Sequence, residues 1–449
     1  MFRWLFTGLD RHFRGNPKAL AWRLKHLPGG VLRQVQRAKL VHTLRYVYRH
    51  NPMQRELWRQ AGIKLRHLRS PAILPEIPFC DRGELALHPE RFFCVPEERM
   101  THVITTAGTS GEAKKIFMTT NDVERQSRMI ATKLRLLPGA SRVLGLFGTQ
   151  DPTWTSGAMA RRAMEKAGMF GLLCGTHIAP VEQIKLIREY RIDTIISGPP
   201  YFHRLTLEAG TDTRTLGIKY VLLAGQAWTE ELRQLFEESW NAVAIDVYGT
   251  NECACGIASE CHHKTGLHVA SADFWIEIVD PQTGRPLPEG QEGEVVVTTL
   301  SREGMPLVRY RIGDLATIFP RKERCACGVT LPSLSRIRGR IDDMIILGNT
   351  SNVFPDELDQ AIFSVAGISD YQVVVEKDSY RDVLHLTAES SRPREELAPL
   401  LSKALLSIDS LASSVNRSKT MALGRIECVA PGTLSQGRPK GVRIIDKRA

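Results

Sequence analysis

The sequence predicts an α/β protein, with a large N-terminal domain of mostly parallel sheet covered by helices and a small α+β C-terminal domain. Three observations carry that expectation. From about 100 to 250, apolar strands alternate with amphipathic helices across short polar joints. From 268 to 320 the text turns β-rich, with turn signals such as "PQTG" and "PEGQEG" between the runs. After "RIRGRIDD" charge replaces apolar periodicity, and a fresh set of short strands and helices begins. At 449 residues the chain has room for roughly two or three domains. The segments read as a helical head at 1–70, a large domain at 71–338 whose β-rich part is 268–335, and a small domain at 339–449.

Within the first region "RVLGLFGT", "DTIISGPP", "IKYVLLAGQ" and "AVAIDVYG" read as strands. "SGAMARRAMEKAG", "VEQIKLIREY" and "TEELRQLFEESW" read as the helices between them. Upstream, "MTHVI" reads as a strand leading into "TTAGTSGEAKK", and Asn121 or Asp122 reads as the cap of the helix that follows. That loop carries Thr105, Thr106, Thr109 and Ser110 hydroxyls, Gly108 and Gly111, and Lys114 and Lys115. Such a set can present N–H, O–H and ammonium donors to an anion, although its lysines do not fit the G-x-x-x-x-G-K-[ST] spacing.

Composition narrows the possibilities. No apolar stretch reaches the roughly 18 residues of a membrane span, and "MFRWLFTGLDRHFRG" lacks a signal-type core, so a cytoplasmic protein is expected. The net charge of +11 is concentrated in the head. Residues 1–70 hold 16 Lys/Arg against Asp10 and Glu56, a net +14, which leaves the remainder at −3. Phe2, Leu5, Phe6, Leu9 and Phe13 recur at helical spacing there. The head reads either as a helical subdomain with a solvated basic face or as a docking surface. The partner would be an acidic protein, or an anionic membrane touched through residues 1–20. No recognition motif accompanies the charge, which argues against nucleic acid.

Five of the nine cysteines fall in two clusters. Cys261, His268, Cys325 and Cys327 form the Cys₃His set that structural zinc takes in tetrahedral geometry, pinning the two ends of the β-rich segment. Cys253, Cys255, His262 and His263 compete as ligands.

Further polar constellations follow predicted strands, where α/β proteins bind ligands: "DVYGTNE", "RYRIGDL" and "RIRGRIDDM", with "LSQGRPKGVRIID" near the end of the chain. With "TTAGTSGEAKK" and "GRIDDMIILGNTSNVFPDELD", their order and spacing resemble the adenylate-forming superfamily of acyl-CoA synthetases, adenylation domains and luciferases. The phenylacetate–CoA ligase branch is the nearest in pattern, over roughly residues 30–449. The resemblance implies a ligase that uses ATP and Mg²⁺ to form an acyl-adenylate from a small carboxylic acid, aromatic or otherwise. It then passes the acyl group to a thiol, that of CoA or of a carrier protein.

The resemblance also assigns residues. Thr106, Gly108, Thr109, Ser110, Gly111 and Lys114 would grip the departing pyrophosphate, and Glu252 would hold Mg²⁺. Tyr248, Gly249, Thr250 and Gly225 would line the nucleotide, with Asp314 on the ribose hydroxyls and Arg340 nearby. Lys440, with Glu252 and Thr109, would be catalytic, its ammonium lying between the carboxylate and the α-phosphate. Asp342 falls where the mobile small domain of the family turns. Arg438-Pro439 stands where the family has Glu-Gly, and Gly225-Gln226 where the branch has Gly-Glu. "GNTSN" is one residue longer than its counterpart, and "QDPTWTSG" lacks the branch's His-bearing aromatic segment. Transfer to a nitrogen or oxygen nucleophile, and a degenerate zinc-stapled binding module, are the competing readings.

Overall fold

The computed structural model describes residues 16–105, 114–147, 156–209, 211–253, 256–300, 302–319, 325–341, 345–347, 351–378, 381–434 and 443–448. The chain divides into two compact units. The first comprises Met1–Ser197, Leu216–Gly225 and Val243–Ile337, and the second Gly198–Thr215, Gln226–Ala242 and Arg338–Ala449.

The first unit opens with three helices, α1 (Pro17–His26), α2 (Gly29–His50) and α3 (Pro52–Gln60). Helix α2 buries Leu32, Val35, Leu40, Leu44 and Val47 on one side, while Arg33, Arg37 and Arg49 stay exposed. The buried side is stitched to the body: Gln36 Nε2 donates to Phe274 O (2.9 Å), Lys39 Nζ to Ala272 O (2.8 Å) and the Tyr46 hydroxyl to Glu303 O (2.8 Å). Part of the basic head is therefore an integral layer of the first unit.

A short helix, α4 (Arg82–Leu87), precedes the antiparallel hairpin of β1 (Met100–Thr105) and β2 (Lys115–Thr119). The Gly/Ser/Thr loop thus spans a hairpin, with β2 standing between the loop and the next helix, α5 (Thr120–Leu134). The α5 cap corrects the sequence expectation of Asn121 or Asp122. It is Thr119, whose Oγ1 accepts from Asp122 N while Asp122 Oδ2 accepts from Thr119 N, each at 3.1 Å. This reciprocal box satisfies two orphan donors, and Thr119 is hard to recognise as a cap because it also ends β2.

The main sheet begins with β3 (Arg142–Phe147), β4 (Phe170–Gly175), β5 (Thr194–Ser197), β6 (Tyr220–Ala224) and β7 (Val243–Tyr248), all parallel to their neighbours. Helices α6 (Ser156–Lys166) and α7 (Pro180–Glu189) belong to this half. The β-rich text does not form a sheet of its own. Strands β8 (Ala258–Ser259), β9 (Leu267–Val269), β10 (Phe274–Val279), β11 (Glu292–Thr299), β12 (Tyr310–Phe319) and β13 (Ser333–Leu334) continue the same one antiparallel. The order is β10-β11-β12-β13-β9-β8-β7-β6-β5-β3-β4. Near-continuous apolar runs such as "RVLGLF" suit the parallel half, which is buried on both faces.

In the second unit are helices α8 (Pro199–Glu208) and α9 (Glu230–Trp240), then β14 (Gly339–Arg340), and the hairpin of β15 (Ile345–Leu347) and β16 (Ser351–Val353). Helix α10 (Pro355–Phe363), strands β17 (Ile368–Asp378) and β18 (Arg381–Ser390), helices α11 (Arg394–Leu405) and α12 (Asp409–Ala412), and strands β19 (Met421–Val429) and β20 (Ile444–Asp446) complete it. Its sheet order is β19-β18-β17-β20, over a core that includes Leu358, Ile362, Tyr371, Val373, Leu386 and Leu401.

Candidate active site

Strand β7 ends at Tyr248, and the chain then turns sharply through Gly249–Glu252. The Tyr248 hydroxyl donates to Asp314 Oδ2 at 2.7 Å, joining the end of β7 to the middle of β12. Gly313, at φ +87, lets the backbone reach this position. A Cβ there would meet the Arg82 guanidinium at 2.1 Å. Thr250 Oγ1 accepts from Cys253 N at 3.3 Å and steadies the turn, while Asn251 Nδ2 donates to Thr105 O (2.8 Å), tying it to the end of β1.

Glu252 is the electrostatic centre. Its Oε1 accepts from Lys114 Nζ at 3.1 Å and from the Tyr310 hydroxyl at 2.8 Å, and its carbonyl accepts from Arg302 Nη1 at 2.6 Å. Burial alone would raise this carboxyl, but Lys114, a backbone N–H and Tyr310 outweigh it and hold it below the usual range. The result is a buried, ionised carboxylate beside a lysine at the mouth of the hairpin loop, the donor type a hard divalent cation takes. Gly225 follows β6 at φ +101, a conformation L side chains rarely adopt.

Tyr310 and Arg302 were not singled out by sequence. Tyr310 lies inside "RYRIGDL", but a phenol before an apolar run reads as core; Arg302 carries no local signal. Arg309 and Arg311, in the same segment as Asp314, are engaged with other acids. Arg309 pairs with Glu277 (3.1 Å) and donates to Ile77 O (2.7 Å), and Arg311 Nε reaches Glu294 (2.8 Å). Removing the Tyr310 hydroxyl alone, in Tyr310→Phe, is expected to weaken the hold on the Glu252 carboxylate by about 1.5–3 kcal/mol, a hydrogen bond to a charged group. If Glu252 holds Mg²⁺, as the sequence resemblance implies, titrating Mg²⁺ in pyrophosphate exchange should then show at least about a tenfold higher requirement, with the acid KM unchanged.

Thr106, Gly108, Thr109, Ser110, Gly111, Asp342 and Lys440 lie outside the described residues. Arg340 is on β14 of the second unit. The chain on either side of Lys440 is anchored within that unit. Before it, Glu389 Oε2 accepts from Gly432 N (2.9 Å) and Oε1 from Leu434 N (2.5 Å). After it, the buried Arg443 guanidinium pairs with Asp359 (2.7 Å) and Asp370 (3.3 Å), and Val373 N donates to Arg443 O (2.7 Å).

Cys261, His268, Cys325 and Cys327 present ligand atoms that all lie within 4.8 Å of one another. Tetrahedral zinc, with Zn–S of about 2.3 Å and Zn–N of about 2.0–2.1 Å, requires about 3.8 Å between sulfurs and about 3.6 Å from sulfur to nitrogen. The Cys261–Cys325 separation is 3.7 Å, and Cys327 Sγ lies 3.5 Å from His268 Nε2. Ser333 Oγ, 3.2 Å from His268 Nδ1, orients the imidazole from behind. The set fits the ion. Of the competitors, Cys253 is fully buried and burial pushes its thiol up to about 12, so it stays neutral. Cys255 lies outside the described residues, and His262 and His263 pack on each other, ring centres 4.1 Å apart.

Residues 32–301 match the AMP-binding enzyme family and residues 350–448 the AMP-binding enzyme C-terminal domain. The chain belongs to that family and is an AMP-forming acid–thiol ligase, which activates a carboxylic acid as its adenylate. Within the family it is phenylacetate–CoA ligase-like. It is 32% identical to the phenylacetate-coenzyme A ligase of Thermus thermophilus over 383 residues, 82% of this chain and 84% of the relative. Against the phenylacetate-coenzyme A ligase of Pseudomonas putida it is 29% identical over 432 residues, 93% and 94% of the two chains. In fold it is similar to a 2-hydroxyisobutyryl-CoA ligase solved with an acyl-AMP, with a TM-score of 0.80 and 21% identity over 95% of this chain and 92% of that one.

Proposed function

We propose that this ligase couples a small organic acid, aromatic or aliphatic, to CoA through an acyl-adenylate. The observation that carries the reading is the ionised Glu252 held by Lys114 and Tyr310 beside the Tyr248–Asp314 pair, at the carboxyl end of β7 where open α/β sheets bind ligands. In the proposed assignment the adenine packs on Tyr248 and the ribose hydroxyls donate to Asp314, which already takes the tyrosine hydroxyl on Oδ2. Lys114 and the hairpin loop neutralise the pyrophosphate. Mg²⁺ would sit on Glu252 and supply charge compensation on phosphate oxygens. Lys440 places its ammonium between the attacking carboxylate and the α-phosphate. The Cys₃His cluster holds structural zinc: four protein ligands leave no open position for catalysis.

CoA is favoured over a carrier protein by the coenzyme A ligases among the relatives. The basic head decides between them experimentally, because CoA needs no protein docking. Reversing Arg3, Arg11, Arg14 and Lys18 to Glu is expected to leave turnover with free CoA unchanged. A loss of turnover with an acidic acyl carrier protein, steepening between roughly 50 and 200 mM salt, would instead identify the head as a docking surface. Among the described residues no helix is long and apolar enough to cross a membrane.

A further inference from the structure

Helix α1 has two unlike sides. Pro17, Leu20 and Ala21 are buried, and Leu24, with Leu27 just beyond the helix, packs against Leu32, Val329 and Leu331. A second line, at i, i+4 and i+8, holds Lys18, Trp22 and His26, all exposed. Trp22 leaves 61% of its surface open. His26 stacks on the indole, ring centres 4.4 Å apart, and His26 Nδ1 lies 2.6 Å from Trp22 O. The indole is thus held in place on the surface rather than folded into the core. Only Leu27 and Pro28 separate α1 from α2. Arg33 and Arg37, exposed one turn apart early in α2, therefore lie near the end of α1 that carries His26.

Residues 16–70 carry 13 Lys/Arg against Glu56 alone. Among the described residues, Lys18, Arg33 and Arg37 form no ion pair. Several exposed cations elsewhere have acidic partners at hand: Lys185 has Glu182 (2.7 Å), Arg204 has Glu208 (3.2 Å) and Arg214 has Asp212 (2.8 Å). The cations of the head repel one another, and an anionic surface relieves that repulsion. Charge alone would suit any polyanion. An indole fixed in water suits one that also offers an apolar layer, and the bilayer interface is where tryptophan finds both. The sequence just before α1 adds Phe2, Leu5, Phe6, Leu9 and Phe13 beside Arg3, Arg11 and Arg14. Aromatic and basic residues together, with acids nearly absent, match an anionic lipid surface better than a soluble polyanion.

We propose that this edge of the head, formed by Lys18, Trp22, Arg33 and Arg37, seats the enzyme on an anionic lipid bilayer. The indole enters the headgroup layer and the cations meet lipid phosphates. The proposal does not depend on which acid or which acceptor the active site takes. Its test is co-sedimentation of the full chain with vesicles of mixed phosphatidylcholine and phosphatidylglycerol, against vesicles of phosphatidylcholine alone. One variant combines Lys18→Gln, Arg33→Gln and Arg37→Gln, and a second is Trp22→Ala. Thermal melts and pyrophosphate exchange, which use none of these four side chains, should match wild type in both.

The expected result is binding to the anionic vesicles only, weakening steeply between roughly 50 and 200 mM salt as the Debye length shrinks. The triple variant should partition about a hundredfold less, since each cation near such a surface contributes a factor of about five. Trp22→Ala should lose at least about fivefold, and that loss should persist at high salt because it comes from apolar burial. Absence of binding to anionic vesicles would overturn the proposal, as would binding that either variant leaves unchanged. Tighter binding to a single-stranded oligonucleotide or to an acidic acyl carrier protein than to the vesicles would also overturn it.

Discussion

Lys440→Ala is expected to slow adenylate formation by at least about 10²-fold, the loss seen when one donor to a developing charge is removed. The adenylation transition state gathers negative charge between the attacking carboxylate and the α-phosphate, and in-line phosphoryl chemistry depends on neutralising it more than on covalent help. Transfer to the thiol starts from a finished adenylate and does not need that ammonium. Thioester formation from supplied acyl-adenylate should therefore change little. The described residues on either side of the Lys440 segment are held by buried charge, Gly432 at Glu389 and Arg443 at Asp359. Rapid-quench measurement of the two half-reactions checks this, and equal losses in both would remove Lys440 from its role.

The double change Cys325→Ser, Cys327→Ser should abolish binding of about one zinc per chain and destabilise the first unit. Cys261 and Cys325 are 64 residues apart in sequence, and a cross-link closing such a loop contributes about 4 kcal/mol through the entropy of the unfolded chain. An ion held there would also gather β9 and the chain leading into β13, which pair through Ser333 and His268 in the same sheet. Elemental analysis and thermal unfolding with and without chelator report both effects. Absence of zinc from folded, active wild type would contradict them.

The motifs that carry Tyr248, Glu252 and Asp314 stand out in the sequence, and the structure brings them close: the Tyr248 hydroxyl meets Asp314, and Glu252 accepts from Tyr310 of the Asp314 segment. What supports them was not legible. Tyr310 reads as a core aromatic, and only its placement opposite Glu252 gives its hydroxyl a task. The Cys₃His set could be read from spacing, but choosing it over Cys253 required burial, which no local pattern reports. The parallel half of the sheet was legible because its strands are apolar runs between amphipathic helices. The junction was not: β8, β9 and β13 span two or three residues each, too few to show a period, so the continuity of the two halves emerges only in three dimensions.

The most direct test of the central claim is carboxylate-dependent exchange of labelled pyrophosphate into ATP, run over a panel of aryl and alkyl acids and followed by addition of CoA. The expected result is exchange with a subset of acids that requires Mg²⁺, is lost in Glu252→Gln, and gives an acyl-CoA product once CoA is present. Absence of exchange with every acid, from protein that is folded and binds ATP, would contradict it.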